Sequence, residues 1–425
     1  MKTRKKKPAY LLHKPSGRAR VRINGEDIYL GEYGSPASRE KYDDLIADWF
    51  ARNGDVKSYV LEVDDLYLLY HEHSLQHYRK DGRLTSEYHC VKSAVRPLIK
   101  LYGNTRARDF GPRALKTVRQ AMVDAGHIRG SVNSMINRIR RMFRWGVENE
   151  HIPVAVYQAL CAVQGLQNGR TTACESEPIQ PVDEAIVNET LKYVSPVVAA
   201  MIQLQLLTGA RPGELVTLRP CDLTMSTDGV WAYRPEGHKT VHRGRERRIY
   251  IGPEAQAVLR PYLDRAPEAF CFSPREAMDL RHAQQREERK SPMTPSQAAR
   301  RPMPMPKRAP RDHYTTPSYR RAIERACEIA LGMPTDLQGS PRDAEGKRLA
   351  ETPADKKKRL RMATEWRREN VWNPHQLRHT RATVIRKQYG LEAAQVVLGH
   401  ADCKVTEVYA ERDFELAARV MKEIG

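Results

Sequence analysis

Residues 373–411 read NPHQLRHTRATVIRKQYGLEAAQVVLGHADCKVTEVYAE, and this stretch organises the rest of the chain. Asn373 suits the N-cap of a helix, and Pro374 suits its first position, where the missing N–H costs nothing. His375 and Arg378 stand three residues apart, so the helix places them on one face. Leu377, Val384 and Ile385 point elsewhere and can anchor the helix in a core. Gly390 is expected to end it, and residues 391–398 to form a second short helix that stops at Gly399. His400 then falls on a turn, and Tyr409 is expected on a third short helix. Two imidazoles, a guanidinium and a phenol brought together suit covalent attack on a phosphate.

Upstream, residues 206–215 read LLTGARPGEL: a helix end, a glycine turn and a new helix opened by Pro212. Arg211 therefore sits at a helix N-terminus, where backbone N–H groups and the helix dipole favour an anion. Residues 230–251 are expected to form a strand, a polar tip and a second strand, with Lys239 the sole lysine of that ribbon.

Arg211 in TGARPGEL, Lys239 in a β-ribbon, HQLRH, LGH and the terminal VYA together resemble the tyrosine recombinases, or phage-type integrases. The order and spacing match over roughly residues 180–415, apart from one insertion. HxxR alone carries no weight, because His and Arg three apart are common on solvated helices. The resemblance implies metal-independent breakage and rejoining of DNA strands through a 3′-phosphotyrosyl intermediate, with no cofactor. It assigns Tyr409 as nucleophile, and Arg211 and Arg378 as forked donors to the non-bridging phosphate oxygens. His400 adds a hydrogen bond, His375 assists removal of the phenolic proton, and Lys239 protonates the leaving 5′-oxygen. Glu214 matches the acidic position that follows the family's first arginine and reads as an orienting partner. His379 reads as structural.

Composition agrees with a polyanion partner. Lys and Arg number 72 against 52 Asp and Glu, a formal net charge of +20 that suits nucleic acid most simply; the resemblance implies that the partner is double-stranded DNA. No run of about 18 apolar residues is present, so no membrane span is expected. The basic N-terminus lacks the apolar core of a secretory signal. Seven scattered cysteines without a CxxC pair read as reduced thiols in a cytoplasmic, nucleoid-associated protein and not as a zinc module. His71, His73 and His77 carry no expectation of a metal site, because His71 and His73, two residues apart, do not share a helix face.

The predicted architecture is mostly α with small β elements. Residues 1–55 form a basic arm followed by a small three-stranded sheet and a helix, similar to an arm-site DNA-binding unit, with Arg18, Arg20 and Arg22 on its strands. Residues 56–165 read as four helices resembling a core-binding domain, with Arg138, Arg141 and Arg144 off the apolar stripe of the fourth. Residues 166–181 are a linker, and residues 182–425 form a mixed α+β catalytic domain.

Residues 274–370 interrupt that domain as a long, basic, Pro-rich insertion. Over 275–370 it carries 23 Lys and Arg against 14 Asp and Glu, a net of about +9. Seven prolines between Pro292 and Pro317 argue against regular structure there, whereas a helix over 318–331 is expected to pack on the catalytic core. The tail, 413–425, has an apolar face that favours docking on a neighbouring copy, as in a recombinase tetramer on DNA assisted by DNA-bending accessory proteins. Three other readings remain at this level: a type IB-like topoisomerase, a metal-dependent transposase or nuclease, and a DNA-binding element that has lost catalysis.

Overall fold

The computed structural model describes residues 7–23, 25–51, 61–80, 82–226, 229–236, 247–299, 311–341, 347 and 349–399. The chain divides into two units, 1–177 and 178–425. It is mostly helical with small antiparallel sheets, as its apolar patterning predicts.

The first unit opens with β1 (Leu11–His13), β2 (Arg18–Ile23) and β3 (Glu26–Glu32), an antiparallel sheet in that order, followed by α1 (Pro36–Ala51). The alternation of RARVRI turns Ala19, Val21 and Ile23 into a small core with Ile28, Leu30 and Trp49. Arg18, Arg20 and Arg22 lie on the other face, and all three engage carboxylates. Arg20 and Arg22 each donate to Asp27 at 2.9 Å, while Arg18 pairs with Asp64.

The helical part follows as α2 (Val63–His77), the hairpin β4 (Arg79–Lys80) and β5 (Arg83–Leu84), α3 (Ser86–Tyr102), α4 (Pro112–Asp124), α5 (Arg129–Glu148) and α6 (Val154–Cys161). Val132, Ile136, Ile139, Phe143 and Gly146 form the buried stripe of α5. Gly146 lies close under α2: a Cβ there would meet Leu66 Cδ1 at 2.8 Å, so any larger residue makes that side chain shift. Off the stripe, Arg138 and Arg141 both bond Glu87, and Arg144 pairs with Glu148. The fifth helix, α6, was not anticipated, because VAVYQALC is too short and too evenly apolar to show a helical period.

The second unit begins with α7 (Glu184–Leu191), α8 (Pro196–Thr208) and α9 (Pro212–Leu215). A three-stranded antiparallel sheet follows, β6 (Leu223–Thr224), β7 (Trp231–Tyr233) and β8 (Ile249–Ile251). Then come α10 (Pro253–Leu259), α11 (Pro274–Glu287), the single turn α12 (Pro295–Ala298), α13 (Thr316–Ala330), α14 (Pro353–Asn370) and α15 (Pro374–Leu398). The nearly all-apolar α8 lies at the centre, packed by α10 and α15.

Two features of the inserted stretch bear on the site. Tyr319, Ile323 and Cys327 of α13 are buried in the same core as Met201 of α8 and Trp372, so this helix is part of the second unit's framework. The basic tract beyond it, which sequence reading left without a helix, forms α14. Its buried anchor is Ala363, packed with Met333, Leu337 and Trp366, and Arg367 bonds Glu328 at 2.6 Å. One small apolar residue and an ion pair leave almost no periodic signal, which is why the helix was missed.

Candidate active site

The site is built where four chain segments meet. α8 ends at Gly209, whose φ of +66° is the left-handed conformation that closes a helix. Two residues later Arg211 is the N-cap of α9, with Pro212 at the first helical position. Glu214, at the third position of that turn, accepts from the Arg211 backbone N–H at 2.8 Å and from Arg211 Nη1 at 2.7 Å. Tyr233 of β7 donates its hydroxyl to the Glu214 backbone carbonyl at 2.6 Å, fixing α9 to the sheet.

Asn373 caps α15 by accepting from the His375 N–H at 3.1 Å, and Gln376 returns a bond from the Asn373 N–H at 2.9 Å. His375 is half-buried, with its ring 5.5 Å from that of the buried His379. Arg378, one turn on, is fully enclosed. Its Nη1 donates to Gly209 O at 2.6 Å and its Nη2 to Leu398 O at 2.7 Å. Both acceptors are helix C-terminal carbonyls, where the dipole favours a cation, so one guanidinium joins the end of α8 to the end of α15.

Between Arg378 and Leu398, α15 is broken at Gly390 (φ +86°, ψ 175°), the residue at which sequence reading ended the first helix. The second half returns toward α8 and ends at Gly399, φ +63°. His375, Arg378 and Arg211 are thus brought together through Gly209 and its neighbours. Lys239, His400 and Tyr409 lie outside the described residues, as do the third short helix and the tail.

The Phage integrase family profile matches residues 345–415. That stretch of the chain is similar to the phage integrases. Among curated relatives it is similar to tyrosine recombinase XerC of Pseudomonas savastanoi pv. phaseolicola, 39% identical over 99 residues, which are 22% of this chain and 32% of that protein. XerC of Pseudomonas aeruginosa is 36% identical over 107 residues, 24% of this chain and 34% of the relative. The matches thus span about a third of the length of those relatives. The fold is similar to that of the Tn1549 transposon integrase in complex with transposon right end DNA. There the TM-score is 0.52 with 15% identity, over 85% of this chain and 99% of the other.

Sequence reading overlooked three residues that position the site. Gln205 of α8 is completely buried and donates to Ala210 O at 3.1 Å and Pro374 O at 2.9 Å, while Tyr319 donates to its Oε1 at 3.1 Å. It ties the Arg211 turn to the start of the His375 helix. Arg247, beside β8, is buried and pairs with Glu214 Oε1 at 3.3 Å. The third, Tyr233, holds the Glu214 carbonyl. No periodic or motif signal marks these residues. A glutamine inside an apolar helix was the one clue available.

Electrostatically the site is a carboxylate between two guanidiniums. Burial pushes the Glu214 carboxyl up, but Arg247, Arg211 and the Arg211 N–H together overcome this and hold it below the usual carboxylate range. Burial draws Arg247 below the ordinary guanidinium value, partly countered by Glu214, and it stays charged because arginine starts so far above neutrality.

Proposed function

We propose that this chain is a site-specific DNA recombinase that cuts and rejoins strands by transesterification. The observation that carries this reading is the link from Arg378 to Gly209 O, two residues from Arg211, which gathers two guanidiniums from distant segments at one helix N-terminus. The similarity of residues 345–415 to the phage integrase profile supports the same chemistry.

In the proposed reaction the Tyr409 oxygen attacks a DNA phosphorus while the bond to the 5′-oxygen breaks. The phenolic proton leaves toward His375, and Lys239 supplies a proton to the departing 5′-oxygen. A phenol with a pKa near 10 needs such assistance at neutral pH. Charge spread over the phosphate's non-bridging oxygens is met by Arg211, Arg378 and His400. A 5′-hydroxyl from a second duplex reverses the step and completes exchange. Assembly as a tetramer on DNA through the C-terminal tail, with accessory DNA-bending proteins, belongs to the same proposal. So does the division into an arm-site unit (1–55), a core-binding domain (56–165), a linker (166–181) and a catalytic domain (182–425). No helix among the described residues is long and apolar enough to cross a membrane.

The test uses nicked duplexes tiled across the DNA flanking the coding sequence, with covalent protein–DNA adducts read on denaturing gels. The expected result is an adduct that forms in EDTA and is abolished by Tyr409→Phe with DNA affinity unchanged. An adduct that persists in the variant removes the nucleophile, and a strict Mg²⁺ requirement for cutting moves the reading to a metal enzyme. Relaxation of plasmid by monomers, without exchange between two sites, moves it to a topoisomerase.

A further inference from the structure

Arg247 has no role in the reaction proposed above, yet it is one of the most constrained cations among the described residues. It lies just before β8, at the foot of the ribbon whose sequence carries Lys239. Its side chain is 4% exposed, as is that of Glu214. Nε donates to Glu214 Oε1 at 3.3 Å, and Nη1 donates to Val397 O and Arg248 O at 3.3 and 3.2 Å. Nη2 is buried without a hydrogen-bond partner among the described residues. Burying a guanidinium on long bonds, with one nitrogen unsatisfied, is costly. Packing alone does not explain keeping it, since an apolar side chain of similar length fills the same space.

What the guanidinium joins gives the reason. Val397 and Leu398 offer consecutive carbonyls at the end of α15: Arg247 takes the first and Arg378 the second. The next residue, Gly399, lies directly against the Arg247 guanidinium, so closely that no Cβ fits between them. Gly399 therefore answers two demands at once, a left-handed φ of +63° and room for Arg247. The residue that follows in the chain is His400.

We infer that Arg247 is a positioning residue for strand cleavage, a buried bracket that sets the Leu398–Gly399 turn, and hence the entry to His400, in register with Glu214 and Arg211. This rests on the recombinase reading. Through Glu214 the bracket fixes the Arg211 guanidinium, and through Val397 O it fixes the turn at Gly399, which His400 follows in the chain. A single side chain thereby couples two of the proposed phosphate donors to the base of the Lys239 ribbon. Displacing oriented groups by about 1 Å, without touching them, is enough to slow a reaction about 10²-fold.

The test compares wild type, Arg247→Met, Arg247→Lys and Glu214→Gln on the nicked flanking duplexes. Single-turnover adduct formation is followed at saturating DNA, with DNA affinity measured separately. Arg247→Met is expected to cut about 10²-fold more slowly with affinity within about twofold. Arg247→Lys, which restores the charge but not the fork, is expected to recover part of the loss. The pH profile separates positioning from mere loss of fold. The charged groups facing the Glu214 carboxylate are Arg211 on its own turn and Arg247 from the ribbon, and Tyr233 holds its backbone carbonyl. With Arg247 gone, the Glu214 carboxyl rises, so the part of the acid limb that Glu214 contributes moves to higher pH in Arg247→Met and is missing in Glu214→Gln.

Wild-type rate and pH profile in Arg247→Met overturn the inference and leave the recombinase reading intact. So does a loss of rate matched by an equal loss of DNA binding. Absence of any wild-type adduct overturns the recombinase reading instead. Should Arg247→Met fail to fold, Arg247→Lys carries the same comparison, and a lysine variant with unaltered rate and pH profile overturns the inference.

Discussion

Replacing Glu214 with glutamine removes one negative charge from between two guanidiniums while keeping the shape. Glu214 and Arg247 are each 4% exposed, and Arg211 is 25% exposed. Breaking a buried pair by removing one partner costs about 3–5 kcal/mol. The glutamine carbonyl still accepts from the Arg211 N–H, and solvent screens part of the Arg211 interaction, which places the expected loss near the lower end, about 3 kcal/mol. The assay is hydrogen exchange by mass spectrometry on the full chain, reading the slowest amides of α8 and α15, which report opening of the second unit. At about 1.4 kcal/mol per tenfold, those amides exchange about 10²-fold faster in Glu214→Gln at pH 7.

The pH dependence gives a second reading. Glu214 is held below its unfolded value, so its contribution is fully present above the unfolded pKa of about 4.3 and is lost as pH falls through the lower folded value. The ratio of variant to wild-type exchange, taken at each pH, therefore shrinks on acidification below that point. In a Glu214→Gln background, Arg247→Met costs less than in the wild type, because the cation it removes no longer faces a carboxylate. A ratio under about threefold at pH 7, or one that widens toward acid, refutes the account of a carboxylate stabilised by two guanidiniums.

Two further substitutions probe the same framework by the same exchange measurement. Gly209→Ala is expected to destabilise the second unit by about 2 kcal/mol, because φ is +66° and the new Cβ meets Leu398 Cδ2 at 2.9 Å. Unchanged exchange would show that the turn relaxes freely. Tyr319→Phe keeps the ring but leaves the buried Gln205 Oε1 without its donor, at about 1–2 kcal/mol. A neutral result would mean that the link from α13 to the Arg211 turn contributes nothing measurable.

The sequence by itself determined the local structures around the site, because each rests on short-range chemistry. Asn373 with Pro374 starts α15, Gly390 breaks it, Gly399 ends it, and Pro212 opens α9 after the Gly209 turn. The alternation in RARVRI sets the face of β2, and the apolar run of α8 sets its burial. The family resemblance also came from motifs that survive in the linear order. Only the tertiary structure decided how those pieces are joined. Gln205 meets Pro374 O across 169 residues, Arg378 meets Gly209 O across the same separation, and Arg247 meets Val397 O across 150. A buried polar side chain is chosen for the partner opposite it, and that partner is fixed by packing of distant helices rather than by any nearby residue. For the same reason α14 was invisible beforehand, since Ala363 and the Arg367–Glu328 pair gain meaning only once α13 lies alongside.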